Sequence, residues 1–159
     1  MSSSSQYSPK ALEILRRYGA CDISDALLKL KVPGAGFLPD LIQYCDQLSQ
    51  DTYKLQPIIV APASTVLFIP KNDSGSAYPP SNIPAGEHWV DLTQPGTIAI
   101  LSQPEGQRNA VLGGIMALRM KKLSALGVVV HGRIRDIEEL KASNLMVCQY
   151  MFFSSSLIT

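Results

Sequence analysis

Cysteine is scarce in this chain: three residues in 159, Cys21, Cys45 and Cys148, widely spaced and without a CxxC pair. An odd, scattered set offers no disulfide framework and predicts reduced, buried thiols in an intracellular, cytoplasmic protein. An excess of charge of one sign is missing too. The net charge is +1, which excludes the electrostatic footprint of a nucleic-acid or anionic-membrane binder. No apolar run approaches the roughly 20 residues needed to cross a bilayer. Met1–Lys10 is polar and Ser-rich and lacks the apolar centre of a secretory signal, so it reads as a frayed tail. What remains is ordinary globular composition, 46% apolar, and a length that suits one domain around one core. The expected division is a polar tail over 1–9, the domain over 10–143 and an atypical segment over 144–159.

Periodicity predicts helices first and then strands. Leu12 and Leu15 recur at helical spacing within Ala11–Tyr18, with Gly19 as a C′ residue. A second helix is expected near Ser24, capped by Asp22 or Ser24 and ended by Val32-Pro33-Gly34. Ile58–Val60 and Thr65–Ile69 are β-rich runs that suggest a further sheet layer. Lys71–Glu87, rich in Gly, Ser, Asn and Pro, reads as a long surface loop. A strand at Gly96–Leu101, a helix over Asn109–Leu126, a strand at Gly127–Val130 and a helix over Asp136–Ala142 follow. Near-continuous apolar strands alternating with helices predict an α/β domain with parallel pairing.

Two motifs carry candidate chemistry. Gly113-Gly114 falls inside the Asn109–Leu126 pattern, where each glycine costs about 1 kcal/mol relative to Ala. Starting the helix at the glycines avoids that cost and leaves unpaired N–H groups at Gly114–Met116, which suit an anion such as a carboxylate. Close packing that leaves no room for a side chain explains the same pair. The second motif is Gly127-Val-Val-Val-His-Gly-Arg-Ile-Arg-Asp136. Arg133 and Arg135 share a side of an extended backbone, and Asp136 faces differently. Arg135 can clamp a carboxylate, and Asp136 can hold a hard cation. Both stand at the carboxyl end of a parallel strand, where α/β sheets place ligands. A surface ion pair with Asp136 capping the next helix is the alternative. His131 could be a base, a ligand or a satisfied loop histidine, the last being the favoured reading. His88 and Asp91 are metal-like only on a helix, which their surroundings do not suggest. Trp89 reads as a core or interface anchor.

Together Cys21–Leu27, Ala61–Val66, Asn109–Ala117 and Gly127–Asp136 resemble the RraA-like superfamily, which includes the 4-hydroxy-4-methyl-2-oxoglutarate aldolases. The pieces occur in the family's order up to about Leu140. The last is the most specific, with His131 where the family usually has Asp. The resemblance implies a layered β/β/α domain, assembled as a homotrimer with sites between subunits. It implies that the backbone of Gly113, Gly114, Ile115 and Met116 holds the carboxylate of a small 2-oxo acid. Arg135 would bind the pyruvate oxygens, and Asp136 would hold a divalent cation, Mg2+ or Mn2+. The implied activity is that of a class II, metal-dependent lyase: retro-aldol cleavage, oxaloacetate decarboxylation, or both through one enolate. Aldolases of the family commonly carry an acid where this chain has Gly114, a departure that weakens the aldolase expectation more than the decarboxylase one. The competing expectations are a non-enzymatic binding protein of the ribonuclease E inhibitor type and an inactive truncated paralogue.

After Leu140 the family continues with a Pro-Val-Phe-Ala-like strand and further sheet and helix. This chain reads Asn144-Leu-Met-Val-Cys-Gln-Tyr-Met-Phe-Phe and then Ser-rich residues to Thr159. Val147-Cys148 is codable as the start of a fungal-type intron. The expectation is therefore a truncated eukaryotic member with a poorly packed tail from about Asn144, weak ring assembly and low activity.

Overall fold

The computed structural model describes residues 8–38, 40–44, 58–70 and 79–150. Its strands are β1 (Ile42–Tyr44), β2 (Ala63–Leu67), β3 (Ile98–Ser102), β4 (Gly127–His131) and β5 (Met146–Tyr150). Its α-helices are α1 (Pro9–Leu15), α2 (Ala20–Lys29), α3 (Gly114–Lys122) and α4 (Ile137–Ala142). The most apolar strands need cover on both faces, and they take the middle of a five-stranded sheet ordered β1-β5-β4-β3-β2. β2 through β5 run parallel, and β1 closes the far edge antiparallel to β5.

The core forms where α3 and α4 cover this sheet. Leu101, Val128, Val130 and Val147 meet Leu112, Met120, Leu140 and Leu145, all essentially excluded from solvent. Each such aliphatic side chain contributes about 1.5–3 kcal/mol relative to exposure. Trp89 anchors the segment before β3, packing edge-on against Phe68 with ring centroids 5.6 Å apart. By contrast, α1 and α2 bury no residue at all.

The α/β class and the strand–helix–strand units are as the sequence predicts; several particulars differ. Ile58–Val60 is not a strand: Pro62 has no N–H for the ladder, so pairing starts at Ala63. β2 forms no further layer but is the outer strand of the same sheet. Gly19 does not end α1. It is the N-cap of α2, and its N–H donates to the Asp22 carboxylate at 2.8 Å, so α2 starts four residues before Ser24. The Asn109–Leu126 helix starts only at Gly114, because Val111 and Leu112 pair instead with the segment after β4. The segment expected to pack poorly from Asn144 is β5 as far as Tyr150, with Leu145 and Val147 fully buried. The Met1–Tyr7 tail, Cys45, residues 71–78 of the long loop and residues 151–159 lie outside the described residues.

Candidate functional site

Two loops leave neighbouring parallel strands at their carboxyl ends, one from β3 into α3 and one from β4 into α4. They are zipped together: Val111 N–H donates to the Arg133 carbonyl at 2.9 Å, and Arg135 N–H donates to the Leu112 carbonyl at 3.0 Å. This makes a short parallel bridge, Leu112 to Ile134, beyond the sheet proper. It sets the start of α3 beside Arg135 and Asp136.

Gly113 is the N-cap of α3, its carbonyl accepting from Ala117 N–H at 3.0 Å. The N–H groups of Gly114, Ile115 and Met116 therefore have no acceptor within the helix. Gly113 and Gly114 are buried, whereas Ile115 is 78% exposed. Both glycines answer to close approach. A Cβ on Gly113 would lie 2.7 Å from Asp136 Oδ2 and 3.1 Å from Arg135 Nε. A Cβ on Gly114 would collide with Cβ of Glu139 on α4. Close packing thus accounts for both glycines.

Asp136 adopts a left-handed backbone, φ 58° and ψ 51°, at the N-cap position of α4, yet its side chain does not cap that helix. Oδ2 instead accepts from Gly114 N–H at 3.3 Å and lies 3.6 Å from Arg135 Nε. The left-handed turn brings the two side chains together, where an extended backbone would point them apart, so the expectation that they face differently is corrected. The carboxylate stands where the free N–H groups and the helix dipole favour an anion. It takes the Gly114 amide. Both side chains keep access to solvent, 75% for Arg135 and 45% for Asp136. Arg133, by contrast, is spent locally, its Nε donating to the Gln107 carbonyl at 3.2 Å.

The structure shows no site at the histidines. His131 stacks on Tyr150, with ring centroids 4.8 Å apart and planes 12° from parallel. His88 accepts from Val90 N–H through Nδ1, and Asp91 pairs with Arg119. Among the described residues no group of three or more His, Cys, Asp or Glu side chains gathers to hold a metal. Mg2+ does not need such a cage, because it keeps several waters and takes one or two carboxylates plus substrate oxygens. The contacts of Asp136 fall on Oδ2, so Oδ1 is the oxygen that such a cation would take.

Two residues that sequence reasoning passed over stand behind the site. Gln103, just beyond β3, and Gln149, on β5, are the buried polar residues among those described, 5% and 8% exposed. The signal was present: a glutamine at the end of an apolar strand has to find partners for both ends of its amide. A cavity of about 890 Å³ runs along β2, lined by Phe68, Trp89 and Pro79–Ile83, and includes none of the site residues.

A family profile described as RraA-like, Aldolase/RraA, matches residues 20–155. The protein DlpA of Legionella pneumophila is 24% identical over 139 residues, which are 87% of this chain and 20% of DlpA. RraAS2 of Streptomyces coelicolor, described as an unusual member of an RNase ES inhibitor family, superposes with a TM-score of 0.59 at 17% identity, over 93% of this chain and 65% of its own. An uncharacterised protein of Pseudomonas syringae pv. tomato superposes with a TM-score of 0.63 at 21% identity, over 94% of this chain and 64% of its own. The chain thus spans about two thirds of these solved relatives and a fifth of DlpA.

Proposed function

The chain belongs to the RraA-like family, and from that premise we propose that it is a divalent-cation-dependent lyase acting on small 2-oxo acids. One observation carries the reading: a guanidinium and a carboxylate converge on the open N-terminus of α3. The N–H groups of Ile115 and Met116 would bind the substrate carboxylate, as helix N-termini bind anions. Arg135 would hold the 2-oxo oxygen and its neighbour in a two-pronged contact and offset charge as it develops. Asp136 would hold Mg2+ or Mn2+ through Oδ1, and the cation would supply Lewis-acid stabilisation of the pyruvate enolate.

Gly114 decides between the family's two lyase reactions. It carries no acid, and Glu139 fills the space into which a side chain there would grow. The site thus lacks at that position a carboxyl for moving the proton of a leaving alcohol, which retro-aldol cleavage requires and loss of carbon dioxide does not. Oxaloacetate decarboxylation is therefore the stronger activity in this reading. The test is pyruvate release from oxaloacetate with magnesium and with EDTA. Magnesium alone speeds the loss of carbon dioxide from oxaloacetate, so release above that of magnesium without the chain supports a lyase, and release equal to it removes the reading.

The site is open to solvent in one chain, which agrees with completion by a neighbouring copy. The surface for that is the α1–α2 arm, where Leu28, Leu30 and Phe37 are 62%, 74% and 75% exposed. We assign this arm to self-assembly, as the trimer of the family implies. The same exposed arm favours the second reading, a binding protein that regulates a nuclease, which predicts no turnover with or without magnesium.

A further inference from the structure

The peptide group between Gly132 and Arg133 is held from both sides. Its carbonyl accepts from Gln149 Nε2 at 2.7 Å, and its N–H donates to Gln103 Oε1 at 3.0 Å. The two glutamines come from opposite flanks, β5 on one side of β4 and the end of β3 on the other. β4 itself ends at His131, whose carbonyl accepts from Gln103 N–H at 2.8 Å. Past that point the chain turns at Gly132, with φ 150°, and the strand pairings of the described residues end at His131. Side-chain amides, which have the same donor and acceptor as a backbone peptide, extend the ladder by one more unit.

Neither glutamine has an idle end. Gln103 Nε2 donates to the Asn109 carbonyl at 2.7 Å, on the loop that leads into α3. Gln149 Oε1 accepts from the Tyr44 hydroxyl at 3.1 Å, on β1. Gln103 therefore ties the Asn109–Gly113 loop to the Gly132–Asp136 loop, and Gln149 ties the latter to the far edge of the sheet. Gly132 is the residue this grip demands, since a Cβ there would lie 2.8 Å from both Cβ and Oε1 of Gln103. Buried amides satisfied at both ends make a rigid support, whereas half-satisfied ones are costly.

We propose that Gln103 and Gln149 are positioning residues that clamp the Gly132–Arg133 peptide and thereby set where Arg135 and Asp136 stand relative to the start of α3. Asp136 is three residues beyond the gripped peptide in a strained backbone conformation. Its carboxylate reaches Gly114 only if the loop leaves β4 in one direction. The consequence for a cation at Asp136 rests on the function proposed above; the clamp itself does not.

The test has two readouts. Amide hydrogen exchange on the unmodified chain is expected to show Arg133 and Arg135 protected like Val128–Val130. In Gln103→Leu and Gln149→Leu, exchange at 133–136 is expected to rise at least tenfold while 127–130 stays slow. Mn2+ affinity, read from the free-ion paramagnetic resonance signal, is expected to weaken 10–100-fold, as loss of outer-shell partners does. Gln103→Glu and Gln149→Glu serve as milder variants. Each keeps the accepting oxygen and loses the donor, so Gln149→Glu should release the Gly132 carbonyl, whereas Gln103→Glu should still hold Arg133 N–H. Unprotected Arg133 and Arg135 amides in the unmodified chain would overturn the clamp, and so would unchanged exchange in both leucine variants. If Asp136→Asn leaves Mn2+ affinity unchanged, the functional reading of the site falls, and exchange alone then judges the clamp.

Discussion

Asp136 combines three features that a surface carboxylate does not usually have: a left-handed backbone, a hydrogen bond to the N–H of another helix, and a guanidinium beside it. Asp and Asn tolerate the left-handed region better than Ala, for which it costs roughly 1–2 kcal/mol. Asp136→Ala is therefore expected to lower stability by about 1–2 kcal/mol, more than the roughly 0.5 kcal/mol of an ordinary surface change. Asp136→Asn should stay close to wild type. Thermal unfolding followed by circular dichroism ranks them, and equal midpoints for the two variants would contradict the backbone argument. Arg135→Lys is expected to leave stability unchanged and to lose most turnover, because an ammonium cannot make the two-pronged contact. Steady-state kinetics checks it. At this scale the sequence was legible in identity and not in direction. Arg135, Asp136 and Gly113–Met116 do come together, but a positive φ at a non-glycine residue leaves no mark in a pattern of residue types; the pairing of Arg135 with Asp136 was legible only as the alternative of a surface ion pair, and the helix cap expected with it does not form.

At the scale of elements, α3 and α4 touch where Gly114 faces Glu139. Overpacking of this kind costs about 1–3 kcal/mol, so Gly114→Ala and Gly114→Asp should each destabilise the chain by that amount. Gly114→Asp should also fail to create aldol cleavage, because its side chain has to displace α4 before it can serve the site. The obstacle is Glu139 Cβ. Glu139→Gly should thus rescue Gly114→Ala where Glu139→Ala does not, a coupling that a double-mutant cycle in urea would measure. Additive effects would contradict the packing argument. The start of α3 at the glycines could be read from their cost inside a helix. The end of the preceding segment could not, because Val111 and Leu112 are apolar in a helical rhythm and are held extended only by Arg133 and Arg135 across the bridge. Ile58–Val60 shows the converse: β-rich residue types form no strand where Pro62 interrupts the ladder.

For the whole molecule, the parallel core was legible because its strands are apolar on both faces, and β5 was misjudged because its unusual sequence drew attention from its burial. Leu145, Val147 and Cys148 fit the sheet as any apolar strand would. With β5 in place, the reason to expect weak assembly is removed over residues 145–150. Among the described residues, α2 and the turn after it then carry unexplained exposure, with Leu28, Leu30 and Phe37 in water. Light scattering behind size-exclusion chromatography is expected to show an oligomer that Leu28→Glu with Leu30→Glu disperses; a monomer in both cases would contradict the assembly assigned to the arm. The claim on which the account depends is that Asp136 and Arg135 serve catalysis at the mouth of α3. The most direct measurement is the rate of pyruvate release from oxaloacetate in magnesium by the unmodified chain and by Asp136→Asn, with folding of both checked by thermal unfolding. Magnesium-dependent release is expected to fall at least a hundredfold in a variant of near-native stability, in line with the effect of removing one transition-state contact. Undiminished release by Asp136→Asn would contradict it.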